Sequence, residues 1–277
     1  MAKSKKARPL PPLVPGLIDS HCHLDYEPMS SDITGTLARA RAAGVEQCVH
    51  IGCSPETMAP AVELAQAHAD VFASVGIHPH EAHHLDDALL GQIEQLARAE
   101  QVVAIGETGL DYHYDFSPRA GQLVAFGRQI ELAKALDMPL VLHIRDAHAD
   151  AWAVLAEHPP RDNPGVVHCF TGTAAEAERW LELGWHISFS GIATFKKAEE
   201  LRRAAALVPT ERIMLETDAP YLAPEPLRGR KNEPANVAFT CVALAGLRGQ
   251  APAELAARAA ANTRALFRLP PPAPPSP

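Results

Sequence analysis

"LIDSHCHLD", residues 17–25, is an apolar run that ends in two imidazoles, His21 and His23, with Asp19 and Asp25 on either side. Side chains two apart on a strand share a face, so an extended reading puts Asp19, His21 and His23 together and turns Cys22 away. Working outward, seven more short runs rich in β-branched and apolar residues recur along the chain. They are "VEQCVHIGC" (45–53), "VFASVGIHP" (71–79), "VVAIGETGL" (102–110), "PLVLHIRDA" (139–147), "GVVHCFTG" (165–172), "WHISFSG" (185–191) and "RIMLETDAP" (212–220). Segments such as "TGTLARARAAG" (34–44), "ALLGQIEQLARAE" (88–100) and "RAGQLVAFGRQIELAKALD" (119–137) lie between them. Their apolar residues repeat at three- and four-residue spacing, which reads as amphipathic helix. Strands alternating with helices build parallel βαβ units. Eight such units in 277 residues predict a (β/α)8 TIM barrel rather than an open sheet, since such a barrel takes about 250 residues. Residues 234–267 carry an extra helix pair, expected to close the bottom or side of the barrel.

The expected organisation is one barrel domain over 16–269, flanked by a basic, Pro-rich tail over 1–15 and a Pro-rich tail over 270–277. A chain that is 47% hydrophobic and 21% charged has ample material for a core of that size. The first residues lack the apolar run of a secretory signal, and no stretch reaches the roughly 18 apolar residues that span a bilayer. The five cysteines are odd in number and scattered, which reads as reduced packing thiols of a cytoplasmic protein. The net charge of −8 argues against a general nucleic-acid coat, because non-specific affinity for phosphate comes mostly from Lys and Arg. A local site remains open, above all one where bound divalent cations add positive charge.

In a (β/α)8 barrel the chemistry sits at the C-terminal ends of the strands. Those exits carry His21 and His23 on the first strand, Glu107 on the fourth, His143 on the fifth, His168 on the sixth, and Glu216 and Asp218 on the eighth. Four imidazoles with two carboxylates suit Zn2+, Mn2+, Co2+ or Ni2+, with Mg2+ also open. Six ligands exceed what one tetrahedral ion needs, so the expectation is two divalent ions about 3.5–4 Å apart with Glu107 as the bridge. His21, His23, Asp218 and Glu107 are assigned to one ion, and Glu107, His143 and His168 to the other. Two cations near a shared water lower its pKa from about 15.7 towards about 7. Asp218 is expected to hold that water and collect its proton, and Glu216, one step deeper, to orient a ligand.

Around this set, His78 at the third exit faces the mouth. Arg145 reads as an anion contact or as half of a salt bridge, and Arg228 and Arg230 with Lys231 as a phosphate-contacting rim or as a solvated loop. His50, His68, His113, His148, His158 and His186 read as surface or packing residues, and His83 and His84 as a solvated loop.

The phrases "DSHCHLD", "GIHPH", "IGETGLDYH", "LHIRDA", "HCFTG", "SFSGIATFK", "LETDAPYLAP", "RGRKNEP" and "NTRALF" follow one another from about residue 16 to 268. In this order the chain resembles the TatD family of metal-dependent deoxyribonucleases, within the wider amidohydrolase-like barrels. The resemblance implies a TIM barrel, a divalent-metal site and phosphodiester hydrolysis, often 3′–5′ on single-stranded DNA or DNA ends. It implies His21, His23, Glu107, His143, His168 and Asp218 as ligands and His78 as a substrate-side histidine. Some relatives are linked to deacylation of D-aminoacyl-tRNA. A small-molecule amidohydrolase or lactonase is the rival reading, and the fourth exit lacks the modified lysine that many of those enzymes use. A scaffold that only retains the fold is the third. The sequence leaves the oligomeric state open and is compatible with a monomer.

Overall fold

Each of the eight apolar runs forms a strand in the computed structural model, which describes residues 9–272. They are β1 (Leu17–Cys22), β2 (Val45–Gly52), β3 (Val71–Val75), β4 (Val102–Asp111), β5 (Leu140–Arg145), β6 (Gly165–Val167), β7 (His186–Phe189) and β8 (Ile213–Leu215). All seven neighbouring pairs are parallel and follow sequence order from β1 to β8. The ring closes at the mouth, where a Cys22–Ala219 bridge joins β1 to the chain leaving β8. There the Asp218 N–H donates to His21 O at 2.9 Å and the His23 N–H donates to Ala219 O at 2.8 Å. The fold is a TIM barrel, as the strand–helix rhythm predicts.

Helices α1 (Ile33–Ala42), α2 (Met58–Ala67), α3 (Asp87–Leu96), α4 (Arg119–Ala135), α5 (His148–Glu157), α6 (Ala174–Glu182) and α7 (Glu199–Leu207) follow strands β1 to β7 in turn. After β8 come α8 (Val237–Arg248) and α9 (Pro252–Phe267), the extra pair. Local signals set their ends. Thr173 and Glu176 form a reciprocal capping box at the start of α6, and Gly249 ends α8 in the left-handed region at φ 65°.

Two apolar clusters hold the layers together. The larger lies between strands and helices and includes Leu37, Phe126, Trp180 and Leu244. The smaller gathers Ile18, Val49, Val103, Val141, Val166 and Met214, one from each of six strands, with Leu266 and Phe267 at the end of α9. Ile18, Val103 and Val141 are each the second residue of their strand, so α9 plugs the end of the barrel opposite the mouth. Val14 is buried and its N–H donates to Ala43 O at 3.0 Å, so the chain packs against the barrel two residues before the expected boundary at 16. Residues 1–8 and 273–277 of the two tails lie outside the described residues.

Two of the register irregularities, one in β1 and one in β4, shape the mouth. In β1, Asp19 pairs with Cys48 but Cys22 with His50, three residues against two. The strict alternation of the sequence reading therefore fails across this step. Ile18 faces the barrel interior, and its neighbour Asp19 faces out, accepting the Thr217 N–H at 2.8 Å. Asp19 is thus not on the face of His21 and His23. In β4, Gly106 pairs with Val141 and Thr108 with Leu142, which leaves Glu107 as the bulged residue. Gly106 sits at φ 142°, and a Cβ there would stand 2.5 Å from Val141 O, so only glycine fits before the bulge.

Candidate metal centre

The β4 bulge turns the Glu107 carboxylate into the centre of the mouth, where it is 3% exposed. Its two oxygens face different imidazoles. Oε1 lies 2.7 Å from His168 Nε2, 2.9 Å from His143 Nδ1 and 3.4 Å from His78 Nε2. Oε2 lies 3.4 Å from His21 Nε2 and 4.0 Å from His23 Nε2. Asp218 Oδ1 completes the second group, 3.7 Å from His21 Nε2 and 3.6 Å from His23 Nε2. Asp218 reaches it from a left-handed turn, φ 54°, a conformation that Asp tolerates better than most residues. The six residues expected as ligands therefore meet in one place, and His78 joins them.

The chemistry of this set fits divalent cations. His143 has a carboxylate on each side, Glu107 at Nδ1 and Asp111 at Nε2, the latter 3.0 Å away. His168 is likewise flanked by Glu107 at Nε2 and by Glu216, 3.4 Å from Nδ1. A neutral imidazole has one N–H, so each ring either is doubly protonated or shares one carboxylate with a cation. His21 and His23 turn their Nε2 atoms towards each other at 3.3 Å beside two carboxylates, again a set of lone pairs without enough protons. Ligand atoms of His21, His23 and Glu107, and of His78, Glu107 and His143, lie within 4.8 Å of one another in each group. No thiolate competes: Cys22 Sγ is directed to Val49 O at 3.5 Å and Cys169 Sγ lies 3.2 Å from Ser190 Oγ.

Charge is concentrated accordingly. Burial raises the Glu107 carboxyl, but His168, His78 and His143 outweigh it and hold it well below the usual range. Burial acts the same way on Asp218, and His23, His21 and His168 again hold it down. For His168 burial favours the neutral ring, yet Glu107 and Glu216 lift it well above an ordinary histidine.

Apart from Glu216, the supports around this set escape the sequence reading. Asp111 is fully buried and binds His80 as well as His143, while its Oδ1 accepts the N–H groups of His113 and Tyr114, both at 2.9 Å. Gln122 and Gln129, two turns apart on α4, stitch the bulged strand. Gln122 accepts the Asp111 N–H at 2.8 Å, and Gln129 donates to Thr108 Oγ1 at 2.7 Å. Glu216 accepts the Cys169 N–H at 2.7 Å and stands within 4.8 Å of ring nitrogens of both His21 and His168, whose rings stack at 3.8 Å. In "RKNEP", Asn232 is buried and its Nδ2 donates to Thr217 O at 3.0 Å and Tyr221 O at 2.8 Å, clamping the loop that presents Asp218. The one signal for these groups was polar residues inside otherwise apolar helices and loops.

The basic residues stand further out. The Arg145 guanidinium lies 5.1 Å above the Tyr114 ring, with no salt bridge among the described residues, and that of Arg228 lies 4.3 Å above the Phe195 ring. Arg228 and Arg230 are exposed. Of the other histidines, His148 accepts the Trp180 Nε1–H at 3.0 Å and packs by Trp152 and Phe170, a structural placement. His83 and His84 face each other at 3.9 Å in the turn after β3, with His83 bonded to Ser117 Oγ at 2.6 Å.

The family model described as TatD related DNase matches residues 18–268. The chain is 41% identical to an uncharacterized metal-dependent hydrolase of Escherichia coli K12, YcfH, over 91% of this chain and 96% of that one. It is 38% identical to the 3′-5′ ssDNA/RNA exonuclease TatD of Klebsiella pneumoniae, over 91% and 98%. A crystal structure of YjjV, a TatD homologue from Escherichia coli K12, superposes with a TM-score of 0.88 at 34% identity, covering 93% of this chain and all of the other.

Proposed function

The chain belongs to the TatD-related DNase family of metal-dependent hydrolases, and from that premise we propose that it cleaves phosphodiester bonds of single-stranded nucleic acid, stepwise from the 3′ end, using two divalent ions that the cluster around Glu107 would hold. The observation that carries this reading is the division of Glu107, one oxygen to His143 and His168, the other to His21 and His23. Residues His21, His23, Glu107 and Asp218 would hold one ion, and Glu107, His143 and His168 the other. Divalent cations there supply Lewis acidity, acidifying a water and offsetting charge on the phosphoryl group.

The remaining work falls to this chain's own side chains. Asp218, its side chain 14% exposed at the edge of the cluster, accepts the proton of the attacking water. Asp111 and Glu216 fix the rings of His143 and His168 from behind. His78 stands on the substrate side of Glu107, and Arg145, Arg228 and Arg230 take the phosphates leading to and from the scissile bond. Mg2+, Mn2+, Zn2+, Co2+ and Ni2+ all suit an N/O donor set of this kind. No helix among the described residues is long and apolar enough to cross a membrane, and the five cysteines are free, which supports a cytoplasmic setting.

The test is a digestion of single strands labelled at the 5′ or the 3′ end across a metal series. A ladder that shortens from the 3′ end in Mn2+ or Mg2+ is expected. Intact strands from protein that retains its metal would overturn the reading.

A further inference from the structure

All four tyrosines of the chain, Tyr26, Tyr112, Tyr114 and Tyr221, lie in segments leaving the C-terminal ends of strands, together with Phe116. The aromatic side chains that stand open to solvent among the described residues are Tyr26 at 42%, Tyr114 at 50%, Phe116 at 66% and Tyr221 at 48%. They form two pairs at the mouth and are absent from the outer helices. Tyr26 and Tyr221 face each other edge to face at 6.0 Å, and both rings meet His23, at 5.8 and 6.3 Å. Tyr114 and Phe116 stack at 5.4 Å with their planes inclined by 29°, both against His80, which in turn touches His78 at 4.3 Å. The first pair leaves β1 and β8 and the second leaves β4, so in a ring of eight strands they stand across the mouth from each other, with Glu107 between them.

The geometry points to a pair of base-stacking platforms that hold the two nucleosides on either side of one scissile phosphate. This inference rests on the proposed phosphodiesterase reading and specifies how its substrate is held. The packing of the fold does not account for the four rings, because each keeps between 42% and 66% of its surface open to solvent while the rest of the aromatic set is buried or half-buried. A ligand with one flat apolar face on each side of a negative centre matches two ring pairs separated by a cation-binding cluster. Arg145 beside Tyr114 adds a charge for the neighbouring phosphate. Stacking needs bases free of a duplex, so the platforms select single strands over paired ones, and every base has a π-face, so they do so without sequence preference. They also compensate for a net charge of −8, which gives little long-range attraction to a polyanion.

The experiment uses the metal-loaded enzyme and short single strands carrying 2-aminopurine, or an abasic residue, at the 3′-terminal or the penultimate position. Binding to wild type should quench 2-aminopurine at both positions. An abasic residue at either should raise KM about tenfold with kcat held within a few-fold, the scale of one lost stacking contact. Tyr26→Leu with Tyr221→Leu should abolish quenching at one position, and Tyr114→Leu with Phe116→Leu at the other. In each variant the matching abasic substitution should have no further effect, while metal content stays at the wild-type level. Undiminished quenching in both variants, or an abasic strand handled like a normal one by wild type, would overturn the inference, and the abasic comparison needs no folded variant. Quenching without turnover on any strand would leave the platforms standing and sink the phosphodiesterase reading instead.

Discussion

Asp111 Oδ2 lies 3.0 Å from His143 Nε2, on the far side of the ring from Glu107. Burial raises the Asp111 carboxyl, but hydrogen bonds from His143, His80 and backbone N–H groups pull it far below the usual range, so it faces His143 as a carboxylate. It holds the proton of His143 at Nε2, and Nδ1 would then be open to a cation. Asp111→Ala should therefore lower activity or metal affinity about 10–100-fold, as loss of a ligand's orienting partner generally does. Titration with Mn2+ should show one of two binding steps weakened and the other kept.

Glu107 gives the opposite signature. One carboxylate serves both groups of imidazoles, so Glu107→Ala should weaken both binding steps together and abolish turnover. Bound metal raises thermal stability by mass action, about 2.7 kcal/mol at a hundredfold excess over Kd. Wild type should gain stability on adding Mn2+, and Glu107→Ala should gain little. Calorimetric melts with and without Mn2+ decide this.

His148 separates stability from chemistry. It accepts the Nε1–H of Trp180, a fully buried ring. His148→Ala leaves that donor without a partner and opens space beside Trp152 and Phe170, at a cost of about 1–3 kcal/mol. A lower urea midpoint with unchanged metal content and unchanged kcat is the expected pair of results.

These cases mark what the sequence could and could not convey. Eight β-branched runs separated by helical periodicity specify the barrel, because burial on both faces of a parallel strand leaves a continuous apolar signature. His21, His23, Glu107, His143, His168 and Asp218 were visible because each ends such a run. Asp19 was misplaced because a bulge carries no composition of its own, and one extra residue reverses every side chain beyond it. Asp111, Gln122, Gln129 and Asn232 went unread for a different reason. Their partners are backbone groups and rings contributed by distant parts of the chain, and no local pattern records a contact across 15 residues, as between Asn232 and Thr217.

His186 supplies a pH dependence remote from the metal centre. It is buried at the start of β7, and burial with the nearby Arg212 charge lowers its pKa from 6.5 to about 4. The folded state therefore stays neutral there while the unfolded chain takes up a proton as pH falls through 6.5. Stability from this group is fully present above about pH 7 and is lost between pH 6.5 and 4, by about 3 kcal/mol in all. His186→Leu removes the titration. Urea midpoints followed from pH 7.5 to 4.5 should fall less steeply in the variant, and parallel curves would count against the assignment.

Asn232 ties the strand-8 loop to the site. Its Nδ2 holds Thr217 O and Tyr221 O, and its Oδ1 accepts the Glu233 N–H at 3.0 Å and Asn236 Nδ2 at 2.9 Å. Asp218 lies between the two carbonyls that Asn232 holds. Asn232→Leu keeps the volume but leaves those carbonyls and the Asn236 amide without their partner, at about 1–3 kcal/mol for each group left unsatisfied. The loss should not stop at stability. Displacement of a positioned group by about 1 Å can cost a hundredfold in rate, so kcat should fall well beyond the change in folded fraction at the assay temperature. Turnover measured far below the melting temperature separates the two effects, and a variant that is destabilised but fully active there would show that Asp218 holds its place without Asn232.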